Sequence, residues 1–312
     1  MAKDINRRNF LKASSGFGLV AVGSYLDVRP AAADAQESLV IVEPRPGLRG
    51  AMMPVHFGQP DWPQPWPDPR GESHYHDVTG IAVSYLTDRE QLSQYLPRPF
   101  ELEGPPVVTV AYSMNRDITW LAGGHYNIVA VTVRARYPGN VDDVSGAYAL
   151  AMWENLTDPI LPGRELQGIP KTYGDIEDHR VFDGVWTTTL SVRGKTFLDL
   201  AASELTAMEP GPLQQLNAES SKRTLLGWKY IPNETGSGPV VSYATEFPIS
   251  ARHASAWSAK GHLKWYPQTW RENPMQAHIA NAFHALPVKE IVGCLVSKSS
   301  TTLHTGKVRR LR

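Results

Sequence analysis

Tyr126-Asn-Ile-Val-Ala-Val-Thr-Val-Arg-Ala-Arg-Tyr137 decides how this chain folds. β-branched and aromatic residues crowd it, and such residues suit a pleated surface better than a helix. Similar runs lie on both sides. Val107 to Met114 precedes it; Tyr148 to Glu154, Val185 to Val192, Leu225 to Ile231 and Val240 to Thr245 follow. Gly, Pro, Asn or Asp separates each run from the next, as turn chemistry requires. Val78 to Tyr85 reads as a first core strand, and Val288 to Val296 with Thr301 to Val308 as closing strands. Two short helices interrupt the series. Thr87-Asp88-Arg89-Glu90 fits a capping box that opens a helix to Tyr95, and Asn273-Pro274 opens another through about Phe283. There is no βαβ alternation, glycine-rich dinucleotide loop or internal repeat. The pattern predicts a mainly β, α+β chain with one closed or cone-like antiparallel or mixed sheet.

Composition narrows the function. The 312 residues carry 31 Lys+Arg and 31 Asp+Glu, a formal charge of zero, which argues against binding nucleic acid by phosphate neutralisation. Lys260, Lys264 and Arg271 interleave with Trp257, Trp265 and Trp270, and this reads as packed surface. The single Cys294 excludes a disulfide framework and a cysteine-rich metal centre. His74 and His76 would project to one side of an extended segment and so could share an ion, but no further ligand is evident nearby. A surface segment is expected there, with no metal and no cofactor. An enzyme or a small-molecule binder remains.

The first residues read as an address. Asn6 to Lys12, Asn-Arg-Arg-Asn-Phe-Leu-Lys, resembles a twin-arginine export signal. A short apolar stretch from Ala13 to Leu26 and small residues up to Ala35 complete it. A periplasmic or secreted location is therefore expected. No later stretch is apolar for long enough to insert stably in a membrane. The expected organisation is a signal over 1–35, a Pro/Trp-rich arm over 36–76 and one domain over 77–312. The arm holds Trp62 and Trp66 among six prolines between Pro54 and Arg70. It is expected to strap over the domain or a neighbouring subunit, or to cover a ligand.

The chemistry concentrates at Gly163-Arg-Glu-Leu-Gln-Gly-Ile-Pro-Lys171. Pro170 restricts the chain before it and helps aim Lys171. Enclosed among apolar groups, an amine sheds its proton more readily and becomes a nucleophile able to form a Schiff base. On spacing alone, a Pro-Lys pair in a loop reads as a solvated surface lysine.

The wider block resembles the acetoacetate decarboxylase family, which carries Gly-Arg-Glu followed by Tyr-Pro-Lys. Val83 to Asp88, Leu225 to Pro232 and Leu286 to Val292 resemble other stretches of that family. The resemblance covers about residues 77–308. It implies a cone-shaped β-barrel, a homo-oligomer, a small keto substrate and Lys171 as the imine-forming lysine. The protonated imine would then accept electrons as a carbon–carbon bond breaks. Arg164, Glu165 and Pro170 would position the loop. Four departures stand out. On an ungapped alignment, charged pocket groups of the family fall at Leu86, Ala111 and Tyr126, and Thr172 replaces a second lysine. Met114, Trp120 and His125 would add bulk and aromatic character, and Arg116 could meet an anionic group. Tyr126 or His125 would supply the missing proton donor. The expectation is a lysine-imine lyase acting on a keto acid bulkier than acetoacetate. An aldolase or dehydratase using the same lysine, and a non-catalytic binding protein, are the alternatives.

Overall fold

The computed structural model describes residues 71–312. The expected signal over 1–35 and nearly all of the expected arm over 36–76 lie outside the described residues. The chain is mostly β with a few short helices. Its first strands are β1 (Ser73–Leu86), β2 (Glu101–Leu102), β3 (Val107–Ile118), β4 (Gly124–Pro138) and β5 (Asp143–Glu154). Short strands β6 (Lys171–Tyr173), β7 (Asp175–Ile176) and β8 (Arg180–Phe182) follow. Then come β9 (Val185–Val192), β10 (Lys195–Ala207), β11 (Arg223–Pro232), β12 (Pro239–Trp265), β13 (Glu290–Leu303) and β14 (Arg309–Arg310). Among the described residues four α-helices intervene: α1 (Arg89–Ser93), α2 (Thr157–Pro162), α3 (Pro210–Ser220) and α4 (Ala277–Ala285).

All fourteen strands belong to one mixed sheet, with main path β11-β5-β4-β3-β1-β13-β12-β10-β9-β7. The long β12 also pairs with β11, so the path returns on itself. Most pairs are antiparallel, but β5 runs parallel to β6 and to β11. That exception matters, because β6 begins with Lys171.

Alternation explains which side chains meet. Successive strand residues point to opposite faces, and residues paired across strands share a face. One face of β1, β3, β4 and β5 presents Ile81, Val83, Val110, Val129, Val131 and Trp153, all fully or nearly fully buried in the main core. Trp153 packs among the rings of Phe197, Trp265 and Phe283.

Several elements differ from the sequence reading. β1 begins at Ser73, because Tyr75 is buried and the segment His74 to Asp77 is part of the strand. α1 is capped by Asp88, whose side chain accepts from the Gln91 amide, so Thr87 is not the cap. β12 runs for 27 residues and takes in Trp257, Lys260, Lys264 and Trp265. In the fold Gly261 sits where a Cβ would come within 3.0 Å of Val83 and Cys294 side chains, so close approach explains it. The two closing strands are the single β13 followed by the two-residue β14. β10 and α3 carried no clear sequence signal.

Candidate active site

β5 ends at Glu154, and the chain turns through α2 directly into a π-helical turn, Gly163–Gln167. Gly168 closes that turn at φ 73°, a left-handed conformation that favours glycine. The chain then returns as β6, with Met152 opposite Lys171 and Glu154 opposite Tyr173. The Met152 amide donates to the Pro170 carbonyl (3.1 Å) and the Ile169 amide to the Gly163 carbonyl (2.9 Å). The Gly-Arg-Glu motif thereby gains a physical meaning. A Cβ on Gly163 would lie 2.3 Å from Cδ and 2.4 Å from Cε of Lys171, so only glycine leaves room for the lysine chain. Arg164 Nη1 donates to the Lys171 carbonyl at 2.9 Å and steadies the strand. Glu165 has no ion pair with Arg164 in the described structure.

Lys171 is 7% exposed. Its Nζ donates to the Pro159 carbonyl (3.0 Å) and lies 2.9 Å from Oε1 of Glu154. The Glu154 side chain is fully buried. Burial pushes its carboxyl above the ordinary range, and the neighbouring Lys171 offsets part of that rise. This glutamate was not singled out from the sequence. Its one signal was position: a lone acid closing the apolar run from Tyr148 to Trp153.

Cross-strand register places the neighbours. Ala82, Ala111, Ala130, Met152 and Lys171 face one another in sequence across β1, β3, β4, β5 and β6. The adjoining row is Gly80, Ser113, Ile128 and Glu154. The three alanines keep partial exposure, while their neighbours on the other face have almost none. The row that leads to Lys171 is therefore a wall of uncharged side chains, small except for Met152, and Ala111 is part of it.

Beyond Glu154, Tyr126 and Tyr75 share a hydrogen bond of 2.8 Å between their hydroxyls, and Trp120 Nε1 donates to Tyr75 at 3.2 Å. Burial lifts the Tyr75 phenol to about 12 and Tyr126 further, with the Glu154 charge adding to both. Tyr126 and Trp120 thus join the region of Glu154, although neither makes a hydrogen bond to Lys171.

Four expected pocket residues lie elsewhere. His125 is exposed beside the buried Tyr126, as strand alternation requires. Met114 packs on the main core, on the other face of β3 from Ala111. Arg116, also on that strand, pairs with Asp178 at 2.9 Å. Leu86 shares the face of Ala82 but sits four residues on, about 13 Å along the strand, opposite Val107. His74 and His76 stack with ring centroids 6.1 Å apart, and His74 also meets Thr302 and Glu72. No cluster of three or more His, Cys, Asp or Glu that could hold a metal ion occurs among the described residues. No helix among them is long and apolar enough to cross a membrane. A surface cleft of about 670 Å³ lined by Asp183 to Trp186 and Ser203 to Leu205 shares no residue with this site.

Comparison with known proteins bears on the family and the fold. Residues 52–311 match the profile of the family described as acetoacetate decarboxylase (ADC). An acetoacetate decarboxylase of Burkholderia mallei (strain NCTC 10229) is 25% identical over 248 residues, spanning 77% of this chain and 89% of its own. The crystal structure of acetoacetate decarboxylase from Legionella pneumophila aligns with a TM-score of 0.63 and 24% identity, over 75% of this chain and 86% of that one. The enduracididine biosynthesis enzyme MppR, in complex with pyruvate, aligns with a TM-score of 0.58 and 18% identity, over 77% and 90% of the two chains. These structures share the fold.

Proposed function

The chain belongs to the acetoacetate decarboxylase family, and on that premise we propose that it is a lysine-imine lyase whose substrate is a keto acid bulkier and less polar than acetoacetate. The observation that carries this reading is the buried Lys171 amine, held on Gly163 and directed at Glu154. Its nitrogen adds to the keto carbon and water leaves. The resulting iminium draws the electrons of a breaking carbon–carbon bond into an enamine, carbon dioxide departs, and protonation with hydrolysis frees the product. The row Ala82, Ala111 and Ala130 supports a substrate recognised by apolar contact, since it offers no cation to grip a small carboxylate.

That same lack of a cation in the wall favours a second reading, in which the enamine serves aldol addition or dehydration of an uncharged carbonyl compound. Borohydride reduction in the presence of aryl-substituted methyl ketones and β-keto acids tests the shared step. A covalent mass gain mapped to Lys171 is expected, with none in Lys171→Ala. Carbon dioxide release from the β-keto acid then separates decarboxylation from the second reading. Failure to trap any of these compounds would leave a binding protein.

Export through the twin-arginine pathway, with residues 1–35 removed, belongs to the same proposal. Its support is Arg7-Arg8 ahead of Phe10-Leu11-Lys12. Replacing both arginines by lysine is expected to hold the protein in the cytoplasm. Assembly into a homo-oligomer is also proposed, and light scattering of the purified protein tests it.

A further inference from the structure

Glu154 has no task in the imine chemistry as stated, yet its position is costly. A buried carboxylate normally collects several hydrogen bonds. Here Oε1 meets Lys171 Nζ at 2.9 Å, and Oε2 has no hydrogen-bond partner among the described residues. The titratable groups near it are few. β6 brings Lys171 and, in register opposite Glu154, the exposed Tyr173, whose hydroxyl donates to Asp175; β1 brings Tyr75 and β4 brings Tyr126, while α2 presents only the Pro159 carbonyl to the same amine. The Tyr75 and Tyr126 hydroxyls are bonded to each other and held neutral by burial. Lys171 Nζ and Glu154 Oε1 therefore form a buried pair in direct contact, with no other side chain among the described residues hydrogen-bonded to either atom.

Resting on the imine reading above, we propose that Glu154 is the catalytic residue that carries protons between Lys171 Nζ and the substrate's carbonyl oxygen. Oε1 first takes a proton from the ammonium, leaving a neutral amine and a carboxylic acid. The nitrogen lone pair forms the C–N bond, the carbonyl π pair moves to oxygen, and Glu154 returns the proton to that oxygen. The carboxylate then removes one proton from the now cationic nitrogen. It delivers this proton to the hydroxyl as the C–O bond breaks, and water leaves. The products are an iminium and a carboxylate, so the charges of the resting pair reappear at the same place. Nothing oxidises or reduces, and Glu154 ends as it began. The buried carboxylate thus faces a cation before and after, and the site needs no charge rearrangement to hold the iminium.

The probe for this is 2,4-pentanedione, whose lysine adduct is a conjugated enaminone followed by near-ultraviolet absorbance. In the full-length protein, adduct formation is expected to follow a bell in pH. It falls at low pH, where both groups hold protons, and at high pH, where neither can protonate the leaving hydroxyl. Glu154→Gln is expected to slow it by about a hundredfold or more and to leave a rate that only rises with pH. Glu154→Asp, one methylene shorter, is expected to fall between and to keep the bell. A Glu154→Gln protein that reacts at the wild-type rate with the wild-type profile would overturn the assignment while the imine reading stands. A wild-type profile with no alkaline fall overturns it as well, even if the glutamine variant does not fold. Absence of any adduct in the wild type defeats the imine reading itself, and the role of Glu154 with it.

Discussion

β5 carries an ion pair at each end, and the two are opposites. At its start Asp143 accepts from Arg136 of β4, with side chains 57% and 47% exposed. At its end Glu154 meets Lys171 with 0% and 9% exposure. The hydrogen bond from Arg136 draws the Asp143 carboxyl below its usual range, whereas burial drives the Glu154 carboxyl up despite a cation in contact. Water decides the difference. Exposed charges keep their solvation, and salt screens what they gain from each other. Buried charges have given up that solvation, so the neutral form of the Glu154 carboxyl comes within reach. One pair decorates a surface; the other is suited to passing a proton.

Breaking the buried pair should produce the largest effect. Lys171→Met leaves Glu154 without its cation, and a loss of about 3–5 kcal/mol in unfolding free energy is expected from urea titration near neutral pH. Adding Glu154→Leu should return most of it, because an apolar pair leaves no orphan charge. The sign with pH follows from linkage. The folded-state pKa of Glu154 lies above its unfolded value, so the single variant is most stable at low pH and loses stability as pH rises through the folded value. A pH series of urea melts checks this.

Gly163→Ala sharpens the same end of β5. The added Cβ meets Lys171 at 2.3 Å, and the displaced lysine should form its ketone adduct at least about tenfold more slowly. The overpacking cost is about 1–3 kcal/mol, read from the melting curve.

His253 supplies a control remote from this chemistry. It is buried, bonded to Ser220 at 3.1 Å, and burial with the Arg223 charge lowers its pKa. Below its unfolded value of about 6.5 the unfolded chain binds the extra proton, so this contribution falls as the solution is acidified. His253→Gln should flatten that acid limb in thermal melts and leave the adduct pH profile unmoved. The smallest effect belongs to the exposed pair. Asp143→Asn is expected to leave adduct formation unchanged, with any shift in melting temperature vanishing at high salt.

Much of the fold was legible because strands announce themselves locally. β9 begins and ends where its Val, Trp and Thr run does, and β4 matches the run Tyr126 to Tyr137 within two residues at each end. β10 was illegible, since Asp199, Ser203 and Glu204 dilute its apolar residues and a bulge near Ser203 breaks the alternation. At the site, Lys171, Gly163 and Arg164 stood out through their motif, and Ala111 through its alignment with a charged pocket group of the family. His125, Met114 and Arg116 were misplaced because neighbours in a strand point opposite ways, and a list of nearby residues ignores that. Glu154 was missed because sixteen residues, a helix among them, separate it from Lys171, while the parallel pairing of β5 and β6 brings them into contact.

The order of amino acids was enough to specify a β-rich chain, a lysine poised after proline, and a glycine eight positions before it. Those features depend on local backbone preference and alternation, which a linear string records. Which face each side chain occupies, and that a carboxylate lies dry against the lysine, came from the way distant strands pair. Desolvation is a property of everything packed around a group, and no short stretch of chain contains it.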